Sequence, residues 1–387
     1  MHANASEKTQ SRLDIARSTG RLVVKVGSSV LSSGQSRLDP CRIHHLASEL
    51  SSLREKGLEV ILVSSGAILA GLSQLKWKER PKDIPSKQAA AAIGQSRLMW
   101  AYQEAFQFQG KMVAQVLLTQ DDVRDRSRYL NARNTLISLL HLGVIPIVNE
   151  NDTVAVEEIR FGDNDQISAL VANLVDADLL IILTDMDGLF TADPRKSRRA
   201  RLISLVPEIT SDIKLWAKDS SSGMGVGGMN SKLLAAKVAT SSGIPTIVAN
   251  GRVEGILGQI MTGKAVGTLF LPEPDRMASR KRWLAFATHS QGMIAVDNGA
   301  KSALIRKGKS LLPSGILDAW GDFRAGDVVT LLDEERLEFA KGLVNYGIEE
   351  VNRIKGCRSG QIEKVLGYKH SDEVIHRDNL ALMERRI

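Results

Sequence analysis

Two lysines of this 387-residue sequence stand beside glycine turns that could hold phosphate groups. Lys25 precedes the turn Gly27-Ser28-Ser29, and Lys232 follows four glycines in Gly223–Gly228 that lead into a predicted helix. Backbone N–H groups in such turns and the positive end of a helix can face phosphate oxygens, and each lysine adds a full charge. The pair therefore favours two cations that meet on one phosphoryl group. For the first turn taken alone, an ordinary strand exit is an equally good explanation.

Polar residues also follow other predicted strands. The sequence places Asn149-Glu150-Asn151-Asp152 after one strand and Gly162-Asp163-Asn164-Asp165 at the start of the next helix. Carboxylates can hold an ammonium group, while amides and a helix N-terminus can hold a carboxylate. This dual polarity suits an α-amino acid. An Asx turn with a helix N-cap explains one or two of these residues but not the whole set.

Two shorter segments each leave two interpretations open. Ser64-Ser65-Gly66-Ala67 contains only small residues, which permit close approach of a ligand to the backbone or simply tight packing. Thr184-Asp185 follows an apolar strand and suits a nucleotide base or ribose, but a plain turn before Gly188 accounts for it equally well.

Apolar runs alternate with helix-length segments from residue 22 to about 250, as in a mainly parallel sheet covered by helices. We predict strands at 22–26, 59–63, 111–118, 144–148, 179–184 and 246–249, and helices at 40–56, 86–108, 128–142, 165–176 and 229–241. Ligands bind outside the carboxyl ends of such strands, where the polar segments lie. These loops contain neither G-x-x-x-x-G-K-[ST] nor G-x-G-x-x-G after the first strand, which disfavours the common nucleotide folds. The predicted fold class is α/β, a three-layer αβα sandwich.

The pattern changes after residue 270. Pro272, Pro274 and the basic stretch 276–282 have the composition of a linker, and the short strand-like runs beyond it suggest a small β-rich module. We predict a flexible leader at 1–20, a catalytic domain at 21–271, a linker at 272–288, the β-rich module at 289–370 and a C-terminal tail at 371–387.

Composition and charge exclude several classes of protein. With 43% hydrophobic and 25% charged residues the chain is globular, and its apolar runs fall far short of the roughly 20 residues that span a bilayer. Residues 1–20 lack the apolar core of a secretory signal, so we expect a cytoplasmic protein. Cys41 and Cys357 have no neighbouring Cys or His, which argues against a disulfide scaffold or zinc site. The net charge is +7, but residues 289–387 carry 15 basic and 15 acidic side chains, so RNA binding is not expected.

In combination, these segments resemble the glutamate 5-kinase family of the amino-acid kinase superfamily, followed by a PUA domain. The matching stretches are LVVKVGSSVL (22–31), VSSGA (63–67), SKQAAAAIGQSRL (86–98), NARNT (131–135), VNENDT (148–153), GDNDQISA (162–169), LTDMD (183–187) and GVGGMNSK (225–232). They span nearly all of residues 22–270. The combination is specific, although each piece alone is not.

The resemblance implies roles for some of the matching residues. Lys25 and Lys232 would contact the ATP phosphates and stabilise the transferring group, with Asp165 orienting both lysines. Glutamate would be bound by Ser65, Asp152 and Asn164. The nucleotide would be held by Lys25, Thr184, Asp185, Val226, Gly227, Gly228, Met229, Asn230, Ser231 and Lys232. Family members use Mg²⁺ with ATP, but no carboxylate here can be named as its ligand, so the metal-binding residues stay unknown.

The reaction implied is phosphorylation of the γ-carboxylate of L-glutamate to L-glutamyl 5-phosphate, the first step of proline biosynthesis. The resemblance also implies a homo-oligomer, inhibition by proline, and transfer of the labile product to a separate glutamyl phosphate reductase. Two alternatives stay open. One is another enzyme of the superfamily, such as N-acetylglutamate kinase, aspartokinase or uridylate kinase, and the other is an RNA-binding or RNA-modification factor.

Overall fold

The computed structural model describes residues 5–33, 37–77, 79–119, 122, 126–154, 164–210, 212–213, 216, 228–272 and 290–382. The chain divides into two compact units, one formed by residues 1–123 and 128–273 and the other by residues 124–127 and 274–387. Val226, Gly227 and all of the predicted linker except Pro272 lie outside the described residues.

A mainly parallel sheet of eight strands forms the middle of the first unit. Its strands in chain order are β1 (Arg21–Val26), β4 (Glu59–Ser64), β5 (Val113–Leu118), β6 (Ile145–Glu150), β7 (Leu179–Thr184), β8 (Leu205–Val206), β9 (Thr246–Asn250) and β10 (Thr268–Phe270), while β2 (Ser32–Ser33) and β3 (Arg37–Leu38) pair separately. The spatial order is β5-β6-β4-β1-β7-β9-β10-β8. Neighbouring strands are parallel except β9 and β10.

Helices cover both faces of this sheet. They are α1 (Ala5–Ser18), α2 (Ser28–Leu31), α3 (Pro40–Glu55), α4 (Ala67–Leu75), α5 (Ile84–Phe108), α6 (Arg126–His141), α7 (Asn164–Leu174), α8 (Met229–Ser241) and α9 (Ile256–Met261). One buried apolar core lies between the sheet and α3, α5 and α9, and a second lies between the sheet and α6, α7 and α8. The predicted three-layer αβα architecture is thereby confirmed.

Helix α3 shows how closely local sequence sets an element boundary. Asp39 is its N-cap and accepts a hydrogen bond from the backbone N–H of Cys41 at 3.0 Å, and Pro40 occupies the first helical position. Proline is favoured there because its missing N–H would have no partner within the helix. Gly57, with φ of +91°, adopts the left-handed conformation just past the end. The predicted helix at 40–56 is confirmed within one residue.

The predicted flexible leader is corrected by the structure, because residues 5–18 form helix α1. Arg12 on this helix is buried and donates hydrogen bonds to the carbonyls of Val266 (2.7 Å), Ser204 (2.6 Å) and Gly267 (3.1 Å). Burial lowers the pKa of Arg12. These hydrogen bonds join α1 to the residues just before β8 and β10. The pattern of the sequence could not show this contact.

We expect Arg12→Met to lower the free energy of unfolding by about 2–4 kcal/mol, because three carbonyls lose a charged donor in a buried place. Arg17→Met on the same helix is the matched control, since Arg17 is exposed. Its effect should stay below about 1 kcal/mol. Urea unfolding of both variants measures the difference, and equal effects would show that the three hydrogen bonds contribute little.

The second unit is built on a five-stranded sheet with the order β12-β11-β13-β14-β15, whose strands are β11 (Gly292–Val296), β12 (Ile316–Gly321), β13 (Val328–Leu332), β14 (Glu338–Leu343) and β15 (Leu380–Leu382). Its helices are α10 (Asn298–Lys307), α11 (Ile348–Ile354) and α12 (Ile362–Leu366), with 3-10 turns at Pro313–Gly315, Ser359–Gln361 and Arg377–Asn379. They enclose a separate apolar core.

The predicted boundary between the β-rich module and a tail at 371 is wrong. Val374 and Ile375 are fully buried in the core of this unit, and β15 pairs antiparallel with β14. The module therefore includes residues 371–382. Among the helices that the structure describes, none is long and apolar enough to cross a membrane.

Candidate active site

Lys25 lies near the carboxyl end of the central strand β1. Side chains along a strand alternate between faces, and Leu22, Val24 and Val26 lie in the first core, so Lys25 faces the same side as Val23 in the second core. Lys25 is only 2% exposed. An ammonium group buried to this degree requires a charged partner.

Asp165, the second residue of α7, is that partner and is itself fully buried. Its Oδ1 accepts a hydrogen bond from Lys25 Nζ, and its Oδ2 accepts from Lys232 Nζ at 3.0 Å and from Ser231 Oγ at 2.6 Å. Lys232 lies in the first turn of α8, which begins directly after Gly228. One carboxylate thus joins both lysines that the sequence singled out.

The charges of this cluster decide its electrostatics. Burial acts to raise the pKa of Asp165, but the positive charges of Lys25 and Lys232 and their hydrogen bonds outweigh it, so the pKa lies below its ordinary value. Asp165 is therefore ionised at neutral pH. A single carboxylate faces two ammonium groups, and the excess positive charge in a buried place favours an anionic ligand.

The cluster lies where the order of the strands changes direction. From β1 the chain moves to β4 on one side, and after β6 it crosses to β7 on the other side of β1. Helix α7 makes this crossing and contacts β1, β4, β6 and β7. Such a switch point separates the loops at the carboxyl ends and opens a crevice for ligands between them. Two ligands could thus approach Lys25 from opposite sides.

The three residues predicted to bind glutamate lie on the β4–β6 side, two of them just after a strand and the third at the start of α7. Ser65 follows β4 and its backbone N–H donates to the carbonyl of Val26 at 3.1 Å. Asn164, the first residue of α7, accepts at Oδ1 from the backbone N–H of Glu150 at 3.3 Å. Asp152 lies in the turn just beyond β6. Their roles in binding stay predictions, but their positions near the ends of β4 and β6 suit a common ligand.

Asp152 has an unusual carboxyl group. Burial raises its pKa to about 6, and the charge of Arg80 offsets this only in part. A carboxylate whose desolvation is so poorly compensated gains stability when a cation binds beside it. The group is therefore suited to a ligand's ammonium.

Two hydrogen bonds from α5 to these strand ends were missed by the sequence analysis. Tyr102 is fully buried, with a pKa raised by burial, and its hydroxyl lies 2.8 Å from Ser64 Oγ. Asn149 Nδ2 donates to Gln95 Oε1 at 2.7 Å. Gln95 and Tyr102 are seven residues apart and share one face of the helix. That spacing of polar groups was the available signal.

On the β7–β9 side, the residues predicted to bind the nucleotide differ in their surroundings. Thr184 is buried, and its hydroxyl donates to Asp185 Oδ1 at 3.2 Å, while Asp185 is exposed. The side chain of Met229 lies in the second core, and the hydroxyl of Ser231 is bonded to Asp165. Any contact that Met229 makes with a nucleotide therefore has to come from its backbone.

Gly27 connects the lysine cluster to this side. Its backbone N–H donates to the carbonyl of Leu183 at 3.2 Å, and a Cβ placed on it would lie 3.9 Å from Lys25 Nζ. Glycine therefore keeps the space beside the ammonium open, as a phosphate approaching the backbone would need. Arg252 also ties the loop after β9 to this turn by donating to the carbonyl of Ser29 at 2.9 Å.

The described residues contain no group of three or more His, Cys, Asp or Glu that could hold a metal ion. Both carboxylate oxygens of Asp165 already accept from Lys25, Lys232 and Ser231. This arrangement does not form a protein cage for a divalent cation. It is compatible with Mg²⁺ carried on substrate phosphates, which usually keeps several water ligands.

Comparison with known proteins agrees with this fold. The amino acid kinase family matches residues 20–250, more than half of the chain, and the PUA domain matches residues 292–366. The chain therefore belongs to the amino acid kinase family. Within it, the chain is a member of the glutamate 5-kinases, because curated proteins of that name match it over nearly its whole length.

Three of these relatives show the extent of the match. The glutamate 5-kinase of Geobacter sulfurreducens is 51% identical over 96% of this chain and all of that protein. That of Pelobacter propionicus is 50% identical over the same shares. That of Caldanaerobacter subterraneus subsp. tengcongensis is 50% identical over 94% of this chain and 98% of that protein.

Proposed function

We propose that the chain transfers the γ-phosphoryl group of ATP to the γ-carboxylate of L-glutamate, giving L-glutamyl 5-phosphate, the first intermediate of proline biosynthesis. Membership of the glutamate 5-kinases supports this reaction. The structural observation that carries it is the buried pair of lysines held by Asp165 at the carboxyl end of β1. Phosphoryl transfer needs positive charges close to the phosphoryl oxygens, and these two lysines can supply them.

The chemistry requires little beyond positioning and charge. The γ-carboxylate of glutamate is already ionised and nucleophilic at neutral pH, so no general base is needed. In the proposed reaction Lys25 and Lys232 stabilise negative charge on the phosphoryl oxygens as it shifts during transfer. Asp165 holds the two ammonium groups close together, which their mutual repulsion would otherwise oppose.

The two substrates would bind on opposite sides of β1. We assign glutamate to the β4–β6 side, with Asp152 facing the ammonium group and Ser65 and Asn164 facing oxygens. The nucleotide is assigned to the β7–β9 side, near Thr184 and Asp185 and the loop that ends at Lys232. Mg²⁺, when bound with ATP, would neutralise charge on the phosphates.

Release of ADP tests the function directly. Purified protein with ATP and Mg²⁺ is expected to release ADP when L-glutamate is supplied, and at least about tenfold less with L-aspartate, N-acetyl-L-glutamate or UMP. Trapping the acyl phosphate with hydroxylamine identifies the product as a γ-glutamyl derivative. Equal or faster ADP release with UMP or N-acetylglutamate would assign the chain to another activity of the family.

The raised pKa of Asp152 predicts a pH dependence for glutamate use. Above about pH 6 the carboxylate is ionised and attracts the ammonium group, while below it the proton removes this attraction. We expect kcat/KM for glutamate to fall about tenfold per pH unit below pH 6. Asp152→Asn should raise the KM for glutamate about 10- to 100-fold, leave the KM for ATP unchanged and flatten this slope.

Steady-state rates between pH 5 and 8 at saturating ATP measure both effects. Titration of ATP itself is common to the two proteins, so the difference between their profiles isolates Asp152. A variant that keeps the wild-type slope, or whose KM rises for ATP instead, would show that Asp152 does not bind the ammonium group.

Further properties are proposed on the family resemblance and the chemistry of the product. Acyl phosphates hydrolyse readily, so a glutamyl phosphate reductase should take the product. Proline is proposed as a feedback inhibitor and a homo-oligomer as the working form. The cytoplasm, which supplies ATP and glutamate, is the proposed location.

A further inference from the structure

Gln95 on α5 carries a hydrogen-bond donor with no partner among the described residues. Its Nε2 atom is buried, whereas its Oε1 accepts from Asn149 Nδ2 at 2.7 Å. Asn149 is only 2% exposed, and its own Oδ1 accepts from the backbone N–H of Glu150 at 2.9 Å. A buried amide donor without a partner costs about 1–3 kcal/mol, so its presence requires an explanation.

The orientation of the Gln95 amide follows from these contacts. A backbone N–H can only donate, so the oxygen of Asn149 must face Glu150 and its nitrogen must face Gln95. The group on Gln95 that meets this nitrogen is therefore the oxygen. Rotating either amide by half a turn would place two donors or two acceptors against each other. Nε2 is thus fixed as the unpartnered group.

The position of Gln95 connects it to the proposed glutamate site. The preceding residue, Gly94, lies so close to the first turn of α4 that a Cβ on it would be 1.8 Å from the carbonyl oxygen of Ala67. Ala67 comes two residues after Ser65, and Asn149 comes three residues before Asp152. Gln95 therefore lies between the ends of β4 and β6. The loops that follow these two strands contain residues proposed to bind the substrate glutamate.

We propose that Gln95 Nε2 binds the α-carboxylate of the amino-acid substrate. This inference rests on the proposed function. The α-carboxylate shares a carbon atom with the ammonium group, so it lies beside Asp152 at the end of β6, whereas the γ-carboxylate must reach Lys25 at the end of β1. A neutral amide donor stabilises a carboxylate without competing with Asp152 for its role toward the ammonium group. Substrates that lack the α-carboxylate are rejected because the buried donor stays unpaired.

The test compares L-glutamate with 4-aminobutanoate, which keeps the ammonium and the phosphorylated carboxylate but lacks the α-carboxylate. Gln95→Glu retains an oxygen for Asn149 and replaces the donor by a group that repels a carboxylate. Gln95→Met removes both polar atoms at similar size. The measured quantity is the ratio of kcat/KM for L-glutamate to that for 4-aminobutanoate, obtained from ADP release.

This ratio does not depend on the fraction of folded protein, because both substrates meet the same preparation. We expect it to fall about 10- to 100-fold in both variants, mainly through loss of L-glutamate use. Gln103→Glu on the exposed face of the same helix is the matched control, and its ratio should equal that of the wild type. The KM for ATP should be unchanged in all three variants.

Two results would overturn the assignment. If kcat/KM falls equally for both substrates, Gln95 only positions Asn149 and the end of β6. If Gln95→Glu behaves as the wild type, the donor does not contact the substrate. A wild-type protein that releases no ADP with L-glutamate would refute the proposed function and this inference together, while an active wild type with an unchanged ratio refutes the inference alone.

Discussion

Asp165→Asn is expected to cause a large loss of both stability and turnover. An amide cannot balance the two buried ammonium groups, so the folded state retains uncompensated charge. Breaking a buried ion pair in this way costs about 3–5 kcal/mol in the free energy of unfolding. We also expect kcat to fall by about 10²-fold or more, because Lys25 and Lys232 repel each other and leave the geometry needed for transfer.

The loss of stability should depend on pH with a definite sign. Without Asp165, burial and mutual repulsion lower the pKa of a lysine in the folded variant relative to the unfolded chain. The unfolded state then binds more protons, so stability rises with pH as that lysine loses its proton. Part of the deficit measured by urea unfolding at pH 7 should therefore be recovered near pH 10.

Asp176→Asn is the matched control at the other end of the same crossing segment. Asp176 pairs with Arg133 at 2.7 Å, but its side chain is 71% exposed. An exposed pair of this kind contributes about 0–1 kcal/mol, and this side chain is remote from Lys25. Wild-type stability and turnover in Asp165→Asn would mean that the two lysines need no shared carboxylate, and the proposed site would lose its organising residue.

The sequence could predict features that depend on a few neighbouring residues. The Asp39-Pro40 start and Gly57 end of α3 act within one helical turn, so the pattern suffices. The strands could be predicted from apolar runs, and the order of the strands then brings Lys25, Asp165 and Lys232 to one edge of the sheet. Local patterns could not predict their contact, because 140 positions separate Lys25 from Asp165. The contact was implied only by the family resemblance.

Features that depend on distant partners could not be predicted from local patterns. Helix α1 has no strong apolar stripe, and its Arg12 bonds to carbonyls that lie more than 190 positions away. The amide of Gln95 meets Asn149 across 54 positions, and neither residue signals this contact by itself. The predicted tail begins at residue 371, yet β15, which is only three residues long, pairs with β14 and so belongs to the sheet.

Lys232→Ala is expected to lower kcat by about 10²- to 10³-fold, with the KM for glutamate changed by less than about threefold. The reason is that the ammonium group of Lys232 matters most when negative charge shifts between the phosphoryl group and the leaving ADP. An interaction that strengthens in the transition state affects turnover and not substrate affinity. The free energy of unfolding should fall less in Lys232→Ala than in Asp165→Asn, because Asp165 still pairs with Lys25.

Lys237→Ala is the control for Lys232→Ala, since Lys237 is exposed one to two turns further along α8 and carries the same charge. Initial rates of ADP release over a grid of ATP and glutamate concentrations separate kcat from the two KM values. Lys237→Ala should match the wild type, which rules out a general effect of one lost charge on the helix. If Lys232→Ala instead keeps its kcat and only weakens ATP binding, Lys232 contributes to the ground state alone. Lys25 would then have to stabilise the transferring group without it, and the assignment of two cooperating lysines would be wrong.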